Sequence, residues 1–201
     1  IIAKDYDFNM WAYARVDTIK QSQLELFKTA GVNWLAIGIE SGSEAVRNSS
    51  VKGSFSLNKI KNVINTTRNH GISVGSNFII GLPSDTVETC HETANLAIEL
   101  ATEFINVYPC IDLPGSSIHV ENKIPEDANY LKYGFLSYET IPNGTSFMSP
   151  SDVLRVRDQL WNLVYSSPKV LGTIKSRFGS EDLNTVEKLK KVALKRKLLG
   201  D

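Results

Sequence analysis

Four short apolar runs recur along this chain, Phe8 to Val16, Val32 to Ile39, Ile72 to Gly81 and Phe104 to Ile111. The first three are each followed by a stretch with helical spacing. Asp17 precedes Ile19, Leu24, Leu26 and Phe27, closed by Gly31; Ser56 precedes a stripe over Leu57 to Asn69; Thr86 opens one to Thr102. Strands alternating with single helices predict β-α-β crossovers and a parallel sheet. Four strands are too few to close a barrel of eight. The expected fold class is therefore α/β: a partial, TIM-like (β/α) barrel with a parallel sheet of about four strands. In such barrels the working loops follow the carboxyl ends of the strands. Attention falls on Ile37-Gly38-Ile39-Glu40-Ser41-Gly42-Ser43 and on Phe78-Ile79-Ile80-Gly81-Leu82-Pro83-Ser84-Asp85.

From Leu113 the pattern changes to Pro, Gly, Asn and Ser-rich turns around Tyr130, Tyr133 and Tyr138. Ser149-Pro150-Ser151-Asp152 then reads as the cap of a helix to about Tyr165, with Pro150 suited to its first turn. A short helix near Lys169 to Arg177 and a final one from Asp182 to Leu199 complete the reading. The final helix carries Lys188, Lys190, Lys191, Lys195, Arg196 and Lys197; a basic amphipathic helix can bind acidic partners, but the expectation is a solvated face with the cations near the helix C-terminus. The organisation expected is residues 1–116 as partial barrel and 117–201 as an irregular and mainly helical C-terminal extension.

Composition excludes several classes. Lys+Arg and Asp+Glu are both 22, so no net field draws the chain to nucleic acid or to an anionic membrane. No apolar run approaches the roughly 20 residues of a membrane span, and a cytoplasmic location is the default. Two cysteines, Cys90 and Cys110, cannot supply a three- or four-thiolate metal site. His70, His91 and His119 are too far apart to read as metal ligands and are taken as structural or surface residues. No nucleophile elbow, P-loop or dinucleotide fingerprint is present. The chain opens Ile1-Ile2-Ala3-Lys4 without an initiator Met and reads as part of something longer.

At the strand ends, Glu40 leaves an apolar run between Gly38 and Gly42, which suits an ammonium or ribose hydroxyls and equally a solvent-facing loop acid. Ser41 and Ser43 lie beside it. Arg15 and Asp17, two apart, share a face; they can pair with one another, or Arg15 can meet a substrate carboxylate. Alternation sends Asn77, Ile79 and Gly81 to one face and Ser76, Phe78 and Ile80 to the other. Gly81 permits a flat ring against the backbone, or merely the turn before Leu82-Pro83.

The ordered set Trp11 with Ala14-Arg15-Val16-Asp17, Gly38 to Ser43, Gly71 to Thr86, and Tyr108-Pro109 with Leu113-Pro114-Gly115-Ser116 resembles the radical S-adenosylmethionine superfamily. The similar branch is that of cobalamin-binding radical proteins, methylthiotransferases and coproporphyrinogen oxidase-like proteins. The resemblance implies strands three to six of a six-stranded partial barrel. It further implies S-adenosylmethionine over the strand ends and a 4Fe–4S cluster held by a C-x3-C-x2-C motif that this sequence lacks, with cobalamin left open. It assigns cofactor-binding positions to Arg15, Glu40, Ser41, Ser43, Asn77, Gly81, Pro83 and Tyr108, and no metal ligand. Ser84-Asp85 stands where the family commonly has Gly-Glu. The implied function is the C-terminal part of an enzyme that forms a 5′-deoxyadenosyl radical for hydrogen abstraction or methyl or methylthio transfer, inactive by itself. A non-catalytic binding or scaffold protein on a half barrel is the alternative. An aldolase or phosphate-binding isomerase lacks its catalytic lysine or glycine-rich phosphate loop here. The partners expected are S-adenosylmethionine, a substrate the sequence does not name, and a second copy through the barrel's open edge.

Overall fold

The computed structural model describes residues 1–50, 55–116 and 129–201. His119 lies outside the described residues. The sheet holds β1 (Met10–Arg15), β2 (Val32–Glu40), β3 (Ser73–Ile80) and β4 (Phe104–Pro109), in the order β1-β2-β3-β4. Every neighbouring pair is parallel. Between the strands lie α1 (Gln21–Thr29), α2 (Glu44–Ser50), α3 (Leu57–Asn69) and α4 (Val87–Leu100). After β4 and a short 3-10 turn at Tyr130–Tyr133 come α5 (Pro150–Ser166), α6 (Pro168–Phe178) and α7 (Ser180–Leu189). The expected α/β half barrel is the fold observed.

Local chemistry sets the helix starts. Ser56 Oγ accepts from Lys59 N–H at the head of α3. Thr86 with Thr89, and Ser149 with Asp152, each form a reciprocal capping box; such caps contribute about 1 kcal/mol apiece. At the other end of α3, Gly71 has φ +73 and its N–H donates to Arg68 C=O, the left-handed stop that glycine permits.

The two faces of the sheet differ. Leu35, Ile37, Ile39, Val74, Phe78, Ile80, Ile105 and Val107 are buried beneath the helices with Ile60 and Ile64 of α3 and Cys90, Ala94 and Ala97 of α4. Each large aliphatic or Phe side chain placed there is worth about 1.5–3 kcal/mol of transfer free energy. On the opposite face the register aligns Tyr13, Ala36, Gly75 and Phe104 in one row, and Arg15, Gly38, Asn77 and Asn106 in the next towards the carboxyl ends. Trp11 stacks on Trp34 with ring centroids 4.9 Å apart, and Phe178 of α6 stacks on Trp34 at 5.5 Å. Gly75 makes room for that stack, since a Cβ there would lie 3.2 Å from the Trp11 ring.

Helix α5 closes the outer edge of β4 with side chains. Ile105 N–H donates to Tyr165 Oη (3.1 Å), Tyr165 Oη donates to Ile105 C=O (2.8 Å), and Arg157 Nε donates to Val107 C=O (2.8 Å). A helix thus satisfies backbone groups that a further strand would otherwise take. Val153, Val156, Leu160 and Val164 of α5 join the same core as the strands.

The final helix is a correction to the sequence reading: it stops at Leu189 rather than running to Leu199. Arg196, expected on a solvated face, has no exposed surface. Its Nη2 and Nε reach Asp158 of α5 at 3.3 and 3.4 Å, and its Nη1 donates to the carbonyls of Phe135 and Ser137. Enclosing that guanidinium among acceptors on two other segments requires the chain to leave the helix and fold back. Helical periodicity carries no trace of such distant partners.

Candidate functional site at the strand ends

The exit of β2 is built around Glu40. Its φ is +71, uncommon for a residue with a Cβ, and Ser41 N–H donates to Ile39 C=O across it at 3.0 Å. An i→i+2 bond around a positive-φ residue is the rarer, strained form of γ-turn. The register slips between Gly38 and Glu40 where β2 pairs with β3. The Glu40 side chain folds back over Gly38, where a Cβ would overlap its Oε1. The carboxylate therefore lies in the row that Gly38 shares with Arg15, Asn77 and Asn106. Burial pushes the Glu40 carboxyl above the ordinary range, and the Arg15 charge partly opposes this. No hydrogen bond to a described residue holds that carboxylate.

Arg15 ends β1 and forks onto Asp17, Nε to Oδ1 and Nη2 to Oδ2, both at 3.0 Å. The pair is exposed, and it raises the arginine and lowers the aspartate through that hydrogen-bonded contact. Asn77 accepts from Asn106 Nδ2 at 2.8 Å, so two amides from neighbouring strands act as one polar unit. The sequence reading missed Asn106. Period-two alternation applied to β4 exposes it, because Phe104, Asn106 and Tyr108 share the face of Asn77. Tyr108 packs tilted against Phe135 at 4.7 Å, and burial raises its phenol.

The serines turn inward. Ser41 is buried; its Oγ meets Thr93 Oγ1 (3.2 Å) and accepts from Ser43 N–H (3.1 Å), while its C=O accepts from Arg47 Nη1 (2.7 Å). Ser43 is buried as well. Their hydrogen bonds belong to the turn from β2 into α2 and to its contact with α4, whereas the Glu40 carboxylate faces the strand row. Gly42 is required there, because a Cβ would overlap the backbone of Glu92. Arg47 is buried with its Nε and Nη2 unsatisfied among the described residues, and burial lowers its guanidinium.

The exit of β3 is made differently. Gly81 has φ +89, and a Cβ there would come within 2.7 Å of Val153 on α5. Asp85 is fully buried, and its Oδ2 accepts from Gly81 N–H (3.0 Å) and Leu82 N–H (2.9 Å). Its Oδ1 accepts from Thr89 Oγ1 (2.7 Å), and its C=O accepts from Thr145 Oγ1 (2.9 Å). Desolvation raises the Asp85 carboxyl while those donors oppose the rise. Asp85 thus performs the loop-fixing task at this exit, and Pro83 is left exposed beside it.

Residues 11–97 match the Radical SAM superfamily model. A Methanocaldococcus jannaschii protein provisionally named a methylthiotransferase is 34% identical over 74 residues, 36% of this chain and 16% of that protein. Among solved structures, Escherichia coli coproporphyrinogen III oxidase (HemN), described as a radical SAM enzyme, superposes with a TM-score of 0.58 at 20% identity, covering 78% of this chain and 32% of that one. The Kitasatospora setae radical S-adenosylmethionine methyltransferase TsrM, solved with tryptophan substrate and a SAM analogue, gives 0.51 at 12% identity over 78% of this chain and 35% of that one. At these identities the two structures share the fold. Residues 11–97 thus match the superfamily that the motifs of the sequence resemble. The chain spans about a third of those structures and less than a fifth of the curated relative.

Proposed function

We propose that the chain is the C-terminal part of a radical S-adenosylmethionine enzyme and supplies one wall of its nucleoside site. The observation that carries this reading is the Glu40 carboxylate: strained into place at a strand end, without a hydrogen bond among the described residues, and in one row with Arg15, Asn77 and Asn106. A carboxylate held this way accepts hydrogen bonds from ribose hydroxyls or an ammonium, and its charge complements a sulfonium. Arg15 offers a cation for the amino-acid carboxylate by opening its exposed fork with Asp17. Asn77, with Gly81 and Pro83, borders the adenine, and Tyr108 forms the rim. Ser41 and Ser43 support the turn that aims Glu40. In the whole protein this chemistry would form a 5′-deoxyadenosyl radical for hydrogen abstraction or methyl or methylthio transfer, and cobalamin use belongs to that same proposal.

An iron–sulfur cluster does not fit the described residues. Cys90 and Cys110 are both buried, and burial pushes their thiols up to about 12 and about 11, the opposite of what thiolate ligation needs. No group of three metal-ligating side chains occurs among the described residues. We therefore assign the isolated chain a binding role in this chemistry and no turnover. The outer edge of β1 has no strand partner among the described residues, and Trp11 and Tyr13 are exposed on that strand. Pairing of two copies through this edge is part of the proposal, as is a cytoplasmic location; no described helix is long and apolar enough to cross a membrane.

The test is a titration of the labelled chain with S-adenosylhomocysteine, following the side-chain amide resonances of Asn77 and Asn106. Both signals are expected to move together, and Glu40→Gln to weaken the response about tenfold, the size of one charged hydrogen bond. Shifts confined to the helix layer, or an unchanged titration in the variant, would overturn the reading. Sedimentation that stays monomeric at high concentration would remove the second copy.

A further inference from the structure

A cavity of about 740 Å³ lies between β4 and the C-terminal helices, and no residue of the Glu40 turn is in its lining. Its walls are mostly aromatic and aliphatic, with Trp34, Phe104, Trp161 and Phe178 among them. This volume is within the range of small-molecule sites, roughly 300–1,000 Å³, and far above the few voids a packed interior tolerates. Its mouth carries Leu136, Leu189 and Val192, exposed by 56%, 52% and 60%. Exposed aliphatic side chains gathered around an apolar hollow mark a ligand entrance.

One end of the cavity is cationic. Arg157 lines it and is only 5% exposed. Its Nε is taken by Val107 C=O and its Nη1 by Asp158 Oδ1 (2.6 Å), while its Nη2 donates to no described residue. Asp158 also receives both Nε and Nη2 of the buried Arg196, so two guanidiniums surround one carboxylate. An excess positive charge in an apolar enclosure is costly unless an anion completes it. At the far end the acids are already accommodated. Glu103 is ion-paired to Arg68 at 3.0 Å, and Asp182 is solvated in the first turn of α7, where the helix dipole favours it.

We propose that this cavity binds a flat, apolar molecule bearing a carboxylate or similar anion, with the ring between the aromatic walls and the anion on the open edge of Arg157. Asn106 and Tyr108 line the cavity and also stand on the strand face of the Glu40 row, so the two sites share a wall. That the bound molecule is the substrate of the neighbouring nucleoside site rests on the reading given under Proposed function. The binding itself does not.

The experiment uses 2-naphthoate and its neutral counterpart 2-naphthamide as probes, titrated into the chain while the indole N–H resonances of Trp34 and Trp161 are followed. Naphthoate is expected to shift both indoles and to bind about fivefold or more tightly than the amide, the preference of one charge-assisted hydrogen bond. Arg157→Gln should bring the two affinities together. Because Arg157 also secures β4, Val186→Phe is the second variant: it fills the cavity from α7 and should weaken both probes about tenfold or more. Equal wild-type affinities would overturn the anionic assignment. Absent indole shifts, or naphthoate binding unchanged in Val186→Phe, would overturn the cavity as a site. Saturating S-adenosylhomocysteine should leave naphthoate bound; displacement would mean that the two sites are one and would end the proposal. A cavity that fails while S-adenosylhomocysteine still moves the Asn77 and Asn106 amides leaves the nucleoside reading standing, and the reverse result isolates that reading's failure.

Discussion

Two acids close the two strand exits, and their surroundings are opposites. Burial raises the carboxyls of both Glu40 and Asp85. Asp85 is wrapped by Gly81 N–H, Leu82 N–H and the Thr89 hydroxyl, whereas Glu40 has a strained backbone, a side chain laid over a glycine, and no hydrogen-bond donor among the described residues. An acid whose acceptors are filled by its own loop is scaffold. A desolvated acid with empty acceptors raises the free energy of the free protein and lowers it again only when a ligand arrives. The comparison thus separates structure from binding in one neighbourhood, where charge and position alone would make the two residues look equivalent.

Removing the filled acid should do the most damage. Asp85→Ala strands two backbone N–H groups in a buried loop, at about 1–3 kcal/mol each. A loss of about 3 kcal/mol, read as a fall in Tm of roughly 10 °C, is expected in calorimetry. Gly42→Ala should follow at about 2 kcal/mol in urea unfolding, since its Cβ meets the Glu92 backbone, which cannot swing aside. Gly38→Ala should cost under about 1 kcal/mol, because the obstacle is the mobile end of the Glu40 side chain. That variant should still lose the S-adenosylhomocysteine response of Asn77 and Asn106. A Gly38→Ala protein as unstable as Gly42→Ala would show that the Glu40 carboxylate is pinned after all.

Glu40→Gln should change stability least, and its pH dependence carries the sign. A carboxyl raised in the folded state binds more protons folded than unfolded. Its contribution therefore favours the fold at acid pH and is lost as pH rises from the ordinary carboxylate range through the raised value. Wild type should lose stability relative to Glu40→Gln across that window and by neutral pH be no more stable than the variant. If the variant is instead clearly the less stable at neutral pH, Glu40 is a structural acid like Asp85 and the contrast collapses.

Much of the scaffold was legible beforehand because its causes are local. Ser56 and Asn69 bound α3 where a cap and a following glycine predict, and Ser149-Pro150-Ser151-Asp152 starts α5 as its own hydrogen bonds require. Alternation in β3 correctly separated Asn77 and Ile79 from the buried Ser76, Phe78 and Ile80. The final helix was misread past Leu189 because Arg196 answers to Asp158, Phe135 and Ser137 rather than to its sequence neighbours.

By itself, then, the sequence determined the β/α repeat, the parallel sheet and the two strand exits, since each follows from spacing within a few turns of chain, and its ordered motifs carried the radical SAM likeness. Only the tertiary structure decided that Ser41 turns to Thr93, that Asn106 joins Asn77, that α5 closes the edge of β4, and that an aromatic cavity with a cationic end opens behind it. Those are contacts between residues far apart in the chain. Their energies depend on which surfaces and charges meet after folding, and no short-range pattern records that.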